Sequence, residues 1–193
     1  MWNLTDNAAE TALLLIDVIN DLEFEGGEDL LVHALPMAQQ IYALKQAAKA
    51  AGVPVIYAND NFGQWRSDFR RLVHSCSNEA VRGQPIARLL QPDEDDYFVL
   101  KPKHSAFYQT NLDVLLKELG TTTVILTGMA ADICVLFTAN DAYMRDFQVI
   151  VPADCVASER AENNQQVLTL MERVLKADIR PFGQRGAGRQ VDR

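Results

Sequence analysis

Short aliphatic runs of strand length alternate along this chain with longer amphipathic stretches of helical period, and that alternation limits the folds open to it more than any other feature. Thr11–Ile16 is almost continuously apolar and ends at Asp17, the mark of a strand buried on both faces. Residues 35–51 place Leu35, Ala38, Ile41, Leu44 and Ala48 at helical spacing and stop at Gly52, with Pro54 beyond. Further strands are predicted over 53–58, over 97–100 ending at Lys101, over 122–127 ending at Gly128, and over 148–151. Helices are predicted over 111–119, 131–144 and 159–176, and 178–180 reads as a short last strand. Residues 59–73 lack a period and read as a long loop, while 79–90 is helical only in part because Gly83 and Pro85 interrupt it. Strands alternating with helices imply an α/β fold: a three-layer αβα arrangement with a six-stranded, doubly wound parallel sheet in Rossmann-like order.

At 193 residues the chain is of single-domain size, read as a core over 11–181 with an N-terminal extension over 1–10. The tail over 182–193, rich in Gly, Gln and Arg, is expected to be mobile. With 18 basic against 26 acidic residues the net charge is −8, which argues against a nucleic-acid or anionic-membrane partner. No apolar run approaches the ~20 residues of a membrane span. The first six residues lack a basic region followed by an apolar core, so no signal peptide is expected and the cytoplasm is the expected location. Three cysteines make no disulfide framework, and His33, His74 and His104 have no zinc-ligand spacing. No glycine-rich loop stands between a strand and a helix, so no nucleotide cofactor is indicated. The acidic run 93–96 reads as a solvated turn.

In open α/β sheets ligands bind beyond the carboxyl ends of the strands. Here those ends deliver Asp17, Asp60, Lys101 and the turn from Gly128 to Cys134. If the first, third and fourth ends converge, a carboxylate, an ammonium and a thiol share one site, a set able to do nucleophilic catalysis. A free thiol ionises near ~8.5, and both the Lys101 charge and a helix N-terminus favour its thiolate. Backbone N–H groups of that first helical turn can stabilise an oxyanion, and Asp17 can carry the thiol proton to a leaving amine. Each residue also has a plainer use. A cysteine before Val-Leu-Phe is often inert packing, Asp17 can cap a loop, and Lys101 can be a solvated strand end. Cys76, in a polar stretch, reads as a surface thiol, and Cys155 as packing.

Four segments in order then identify a resemblance: Ala-Leu-Leu-Leu-Ile-Asp ending at Asp17, Lys-Pro-Lys-His-Ser-Ala-Phe from Lys101, Thr-Gly-Met-Ala-Ala-Asp-Ile-Cys-Val around Cys134, and Asp-Cys-Val-Ala-Ser from Asp154. Over 11–181 the chain resembles the isochorismatase-like cysteine hydrolase superfamily. The resemblance implies a six-stranded parallel sheet between helices and a catalytic triad of Asp17, Lys101 and Cys134. The family lysine stands four residues before the serine of Ser-Ala-Phe, which selects Lys101, with Lys103 as its rival. A cis peptide is implied at Met129–Ala130, turning the Ala130 N–H inward to form an oxyanion hole with the Cys134 N–H.

Asn61, Phe62 and Trp65, with His104 and Phe107, are expected to wall the pocket and contact substrate, although Phe62 and Trp65 can also be loop packing. Nicotinamidases of the superfamily build a metal site on Asp-x-His after strand two. In Asp60-Asn61-Phe62 the histidine is replaced by Phe62, whose ring cannot ligate, so neither metal nor cofactor is expected. Some isochorismatases lack the cysteine, and its presence here favours a thioester route. The expected protein is thus a metal-independent cysteine hydrolase of a small-molecule amide or carbamoyl C–N bond, forming a homo-oligomer. An isochorismatase-type vinyl-ether hydrolase and a redox-sensing or binding module with a reactive Cys134 are the alternatives.

Overall fold

Thr11–Ile16 forms β1, and its side chains alternate between two separate cores. The structure, a computed structural model, describes residues 4, 7–60, 68–77 and 80–185. Beside β1 run β2 (Val55–Asp60), β3 (Tyr97–Lys101), β4 (Thr123–Met129), β5 (Gln148–Ile150) and β6 (Val156–Ala157). All neighbours pair in parallel, in the order β3-β2-β1-β4-β5. β6 also pairs with β4: β5 takes Thr123 to Ile125, and β6 takes Gly128 and Met129. One edge of β4 is therefore shared by two short strands. The strand expected over 178–180 is a single bridge from Asp178 to Ile150.

Ala12, Leu14 and Ile16 enter one core, closed by α4 (Leu112–Glu118), α5 (Leu136–Tyr143) and α6 (Ala161–Leu175). Leu13 and Leu15 enter the other, closed by α1 (Gly27–Ala50), α2 (Phe69–Cys76) and α3 (Gln84–Leu89). A strand covered on both faces must be apolar at every position, which is why β1 shows no alternation in sequence. Among the described residues no helix is long and apolar enough to cross a membrane.

Several local expectations are corrected. α1 starts at Gly27, well before residue 35, and runs through Pro36. Leu30 and Ala34 continue its buried stripe, and Val32, whose carbonyl Pro36 leaves without a helical donor, stands exposed. The predicted loop contains α2, capped by Asp68, whose Oδ1 accepts from Arg71 N–H at 2.9 Å. Cys76 faces the core from α2 and is not a surface thiol. Pro85 lies in the first turn of α3, where a missing N–H is harmless, so it starts that helix instead of breaking it.

The acidic run exposes Asp93, Glu94 and Asp95 around a turn, as expected, but Asp96 departs from that reading. The Asp96 side chain is 1% exposed and meets Lys45 Nζ at 2.7 Å and Lys49 Nζ at 2.7 Å. Lys45, itself buried, also reaches Asp93 at 3.1 Å and donates to Tyr57 Oη at 3.0 Å. The run thus ties the C-terminal half of α1 to the entrance of β3. At the far end, Asp154 accepts from the N–H groups of Phe182 (2.7 Å) and Gly183 (3.1 Å), at the start of α7 (Phe182–Arg185).

Candidate active site

Asp17 follows β1 directly and sits in the left-handed region at φ 53, which Asp tolerates better than most residues. Its N–H donates to Ala58 O at 3.0 Å, and its Oδ1 accepts from the Asp60 N–H at 2.7 Å. The carboxylate is thereby fixed on the end of β2, with Asp17 only 5% exposed. On the other side of β1, Gly128 has φ +111, and a Cβ there would meet Ile16 O at 2.0 Å. Only glycine lets β4 lie this close to the end of β1.

Lys101 ends β3, two strands from β1, a span of about 10 Å at ordinary strand spacing. A long unbranched side chain is needed to pass the end of β2 and reach Asp17. Lys101 does so while 0% exposed, its Nζ lying 2.8 Å from Asp17 Oδ2, 3.9 Å from Asp60 Oδ2 and 3.5 Å from Cys134 Sγ. The Nζ also donates to the Lys103 carbonyl at 3.4 Å. Lys103 points its own side chain to solvent, so Lys101 supplies the ammonium at this cluster.

After β4 the Met129–Ala130 peptide is cis. The chain then makes a π-helical turn over Ala131–Val135, with Val135 N–H donating to Ala130 O at 3.2 Å, before α5 begins. The predicted helix over 131–144 therefore opens with a widened turn, a feature frequent at functional sites, and Cys134 stands in it half-buried. Two α5 side chains, Thr138 and Asp141, went unnoticed in the sequence. Thr138 Oγ1 donates to Cys134 O (2.7 Å) and accepts from the Ala106 N–H (3.0 Å), and Ser105 Oγ donates to Asp141 Oδ2. They button the segment after β3 onto the helix bearing the thiol. Their positions four and seven residues after Cys134, on one helical face, were the available signal.

Of the expected pocket residues, His104 lies at the cluster, exposed, with Nδ1 3.9 Å from Cys134 Sγ. Phe107 does not. Its ring is buried in the core, 6.0 Å from the Phe147 ring, with the Arg145 guanidinium above it at 4.8 Å. Asn61, Phe62 and Trp65 lie outside the described residues, and with them the metal question that Phe62 decides. Among the described residues, the carboxylates grouped closely enough for an ion are Asp93, Asp95 and Asp96, already engaged by Lys45 and Lys49.

The electrostatics overturn one expectation. Burial raises the Asp17 pKa, with the Lys101 charge drawing it partly back. For Lys101, burial works to lower the pKa, but Asp17, Cys134 and Asp60 together raise it. Burial, followed by the Asp17 charge, pushes the Cys134 thiol up to about 12 against the pull of Lys101. A lowered thiol pKa was expected from an adjacent lysine. That ammonium lies closer to Asp17 than to the sulfur, and its pull on the thiol is outweighed by burial and by the Asp17 charge.

The isochorismatase-domain family model matches residues 11–178. An uncharacterised isochorismatase family protein, YaaI of Bacillus subtilis (strain 168), is 46% identical over 171 residues, covering 89% of this chain and 93% of its own. A nicotinamidase structure from Bacillus subtilis superposes with a TM-score of 0.69 at 28% identity, covering 89% of this chain and 99% of that one. N-carbamoylsarcosine amidase from Thermoplasma acidophilum gives a TM-score of 0.66 at 26% identity, covering 89% and 96%.

Proposed function

The chain belongs to the isochorismatase family, and on that footing we propose that it is a metal-independent cysteine hydrolase cleaving an amide or carbamoyl C–N bond of a small molecule through a thioester on Cys134. The observation that carries this reading is the placement of Lys101 Nζ, 2.8 Å from Asp17 and 3.5 Å from Cys134. Similarity to two amidases of known structure supports C–N chemistry.

As Sγ bonds to the substrate carbonyl carbon, its proton passes to Asp17 and the carbonyl electron pair moves onto oxygen. The N–H groups of Ala130 and Cys134 receive that oxyanion. Collapse of the intermediate breaks the C–N bond, and the departing amine takes the proton back from Asp17. Water then cleaves the thioester to a carboxylic acid and the free thiol. A resting thiol near 12 suits this order, because no thiolate stands idle and the proton leaves only as the new bond forms. The Lys101 charge offsets part of what burial costs an ionised Asp17 and holds its carboxyl group in place. Phe62, where a metal-ligating histidine would stand, supports a route without metal.

The reading includes a homo-oligomer, at least a dimer, acting in the cytoplasm on a small-molecule substrate. A panel of primary amides and N-carbamoyl compounds, assayed for ammonia release with mass spectrometry of the Cys134 peptide, tests the chemistry. Turnover of at least one compound, an acyl adduct on Cys134, and a loss of about 10³-fold or more in Cys134→Ala are expected. Turnover that survives Cys134→Ala would replace the covalent route with acid chemistry at Asp17, of the kind that hydrolyses a vinyl ether.

A further inference from the structure

Cys134 has two unlike sides. Asp17 and Lys101 close the inner one, at 5% and 0% exposure. On the outer side stands His104, exposed to solvent, with Nδ1 3.9 Å from Sγ. Lys101 at the end of β3 and His104 three residues further on thus bring an ammonium to the closed side of the sulfur and an imidazole to its exposed side. The imidazole is held in place. Its ring lies 5.4 Å from that of Phe137, one turn beyond Cys134, and the next two residues are pinned to α5 through Ser105–Asp141 and Ala106–Thr138.

A thioester on Cys134 is hydrolysed by water from solvent, and the inner side is shut. The water arrives where His104 stands. We propose that His104 is the base of the deacylation step, an inference that rests on the thioester reading above. Its neutral imidazole takes one proton from the water as the water oxygen bonds to the thioester carbonyl carbon. When the tetrahedral intermediate collapses, the C–S bond breaks with its electron pair on Sγ, and the imidazolium returns the proton to that sulfur. The products are a carboxylic acid, which ionises into solvent, and the resting thiol. Asp17 is left with the acylation half of the cycle, where a proton must reach a leaving amine, and His104 takes the half that begins with water.

The test uses p-nitrophenyl acetate as the acylating probe on the whole protein, which separates the two halves. The burst of p-nitrophenolate reads acylation, and loss of the acetyl group from Cys134 by intact-mass spectrometry reads deacylation. In His104→Gln the burst rate stays within about twofold of the parent, while loss of the acetyl group slows by roughly 10²-fold. In His104→Ala, added imidazole restores part of the deacylation rate, a rescue that a merely structural role would not give. Unchanged deacylation in both variants overturns the assignment and leaves the thioester reading standing. Equal slowing of both phases without imidazole rescue overturns it too, making His104 a support for the segment. Absence of any acetyl adduct on Cys134 in the parent removes the thioester reading and the His104 assignment together.

Discussion

Asp17 raises the pKa of Cys134 by its charge and by its hydrogen bond to the thiol, whereas Lys101 lowers it. Asp17→Asn therefore makes the thiol more acidic while removing the proton carrier. The expected outcome is a split. Iodoacetamide labels Cys134 faster at pH 8, by roughly tenfold for each unit the pKa falls, and amide turnover disappears. Slower labelling in Asp17→Asn would contradict the electrostatic account. Gly128→Ala sets a Cβ against Ile16 O at a φ that side chains rarely adopt. It should cost about 3 kcal/mol or more, read from urea denaturation. Asp17, Lys101 and Cys134 were legible in the sequence because each ends or follows a recognisable strand of one sheet. The direction of the thiol shift was not, because it turns first on how deeply the folded chain buries the sulfur and then on the Asp17 charge beside it.

Among the elements, α1 and the entrance to β3 are joined by charges taken out of water. Removing one partner of such a pair leaves the other buried and unpaired, so Asp96→Ala should lower stability by about 3–5 kcal/mol. Asp95, whose side chain is largely exposed, should change it by less than about 1 kcal/mol on the same substitution. Urea midpoints check both, and Cys134 labelling in the folded state should be the same in each. This clamp was invisible in the chain because a run of four acids looks solvated until its lysines arrive, Lys49 lying 47 residues before Asp96. The strands were readable for the opposite reason, since a doubly covered strand must be apolar throughout. α2 escaped detection because only Phe69 and Cys76 of its residues are buried, too few to print a period.

For the molecule as a whole, the buried ionisable groups make alkali the vulnerable direction. Burial pushes both Cys76 and Cys134 up to about 12. Between about 9 and 12 the unfolded thiols lose protons that the folded ones keep, so stability falls as pH rises. The slope should be about 1.4 kcal/mol per pH unit for each thiol. Lys101, whose pKa is also raised, adds a loss of the same sign above 10.5. Urea midpoints at successive pH values should decline across this window, and Cys76→Ala should flatten the decline by about half between pH 9 and 10, where only the two thiols contribute. A midpoint that does not move would place both thiols in contact with solvent.

Asp17, Lys101 and Cys134 come from three stretches of chain that no local element joins, and they meet only when β1, β3 and β4 lie in one sheet. Until then Cys134 is an ordinary thiol, ionising near ~8.5 and open to any alkylating reagent. Once the sheet closes, burial and the Asp17 charge hold the proton on the same atom. The chain thus carries its own clock. A pulse of iodoacetamide at successive moments of refolding, read at the Cys134 peptide, dates the burial of the thiol beside Asp17, as β1 and β4 pair, by the instant at which labelling slows.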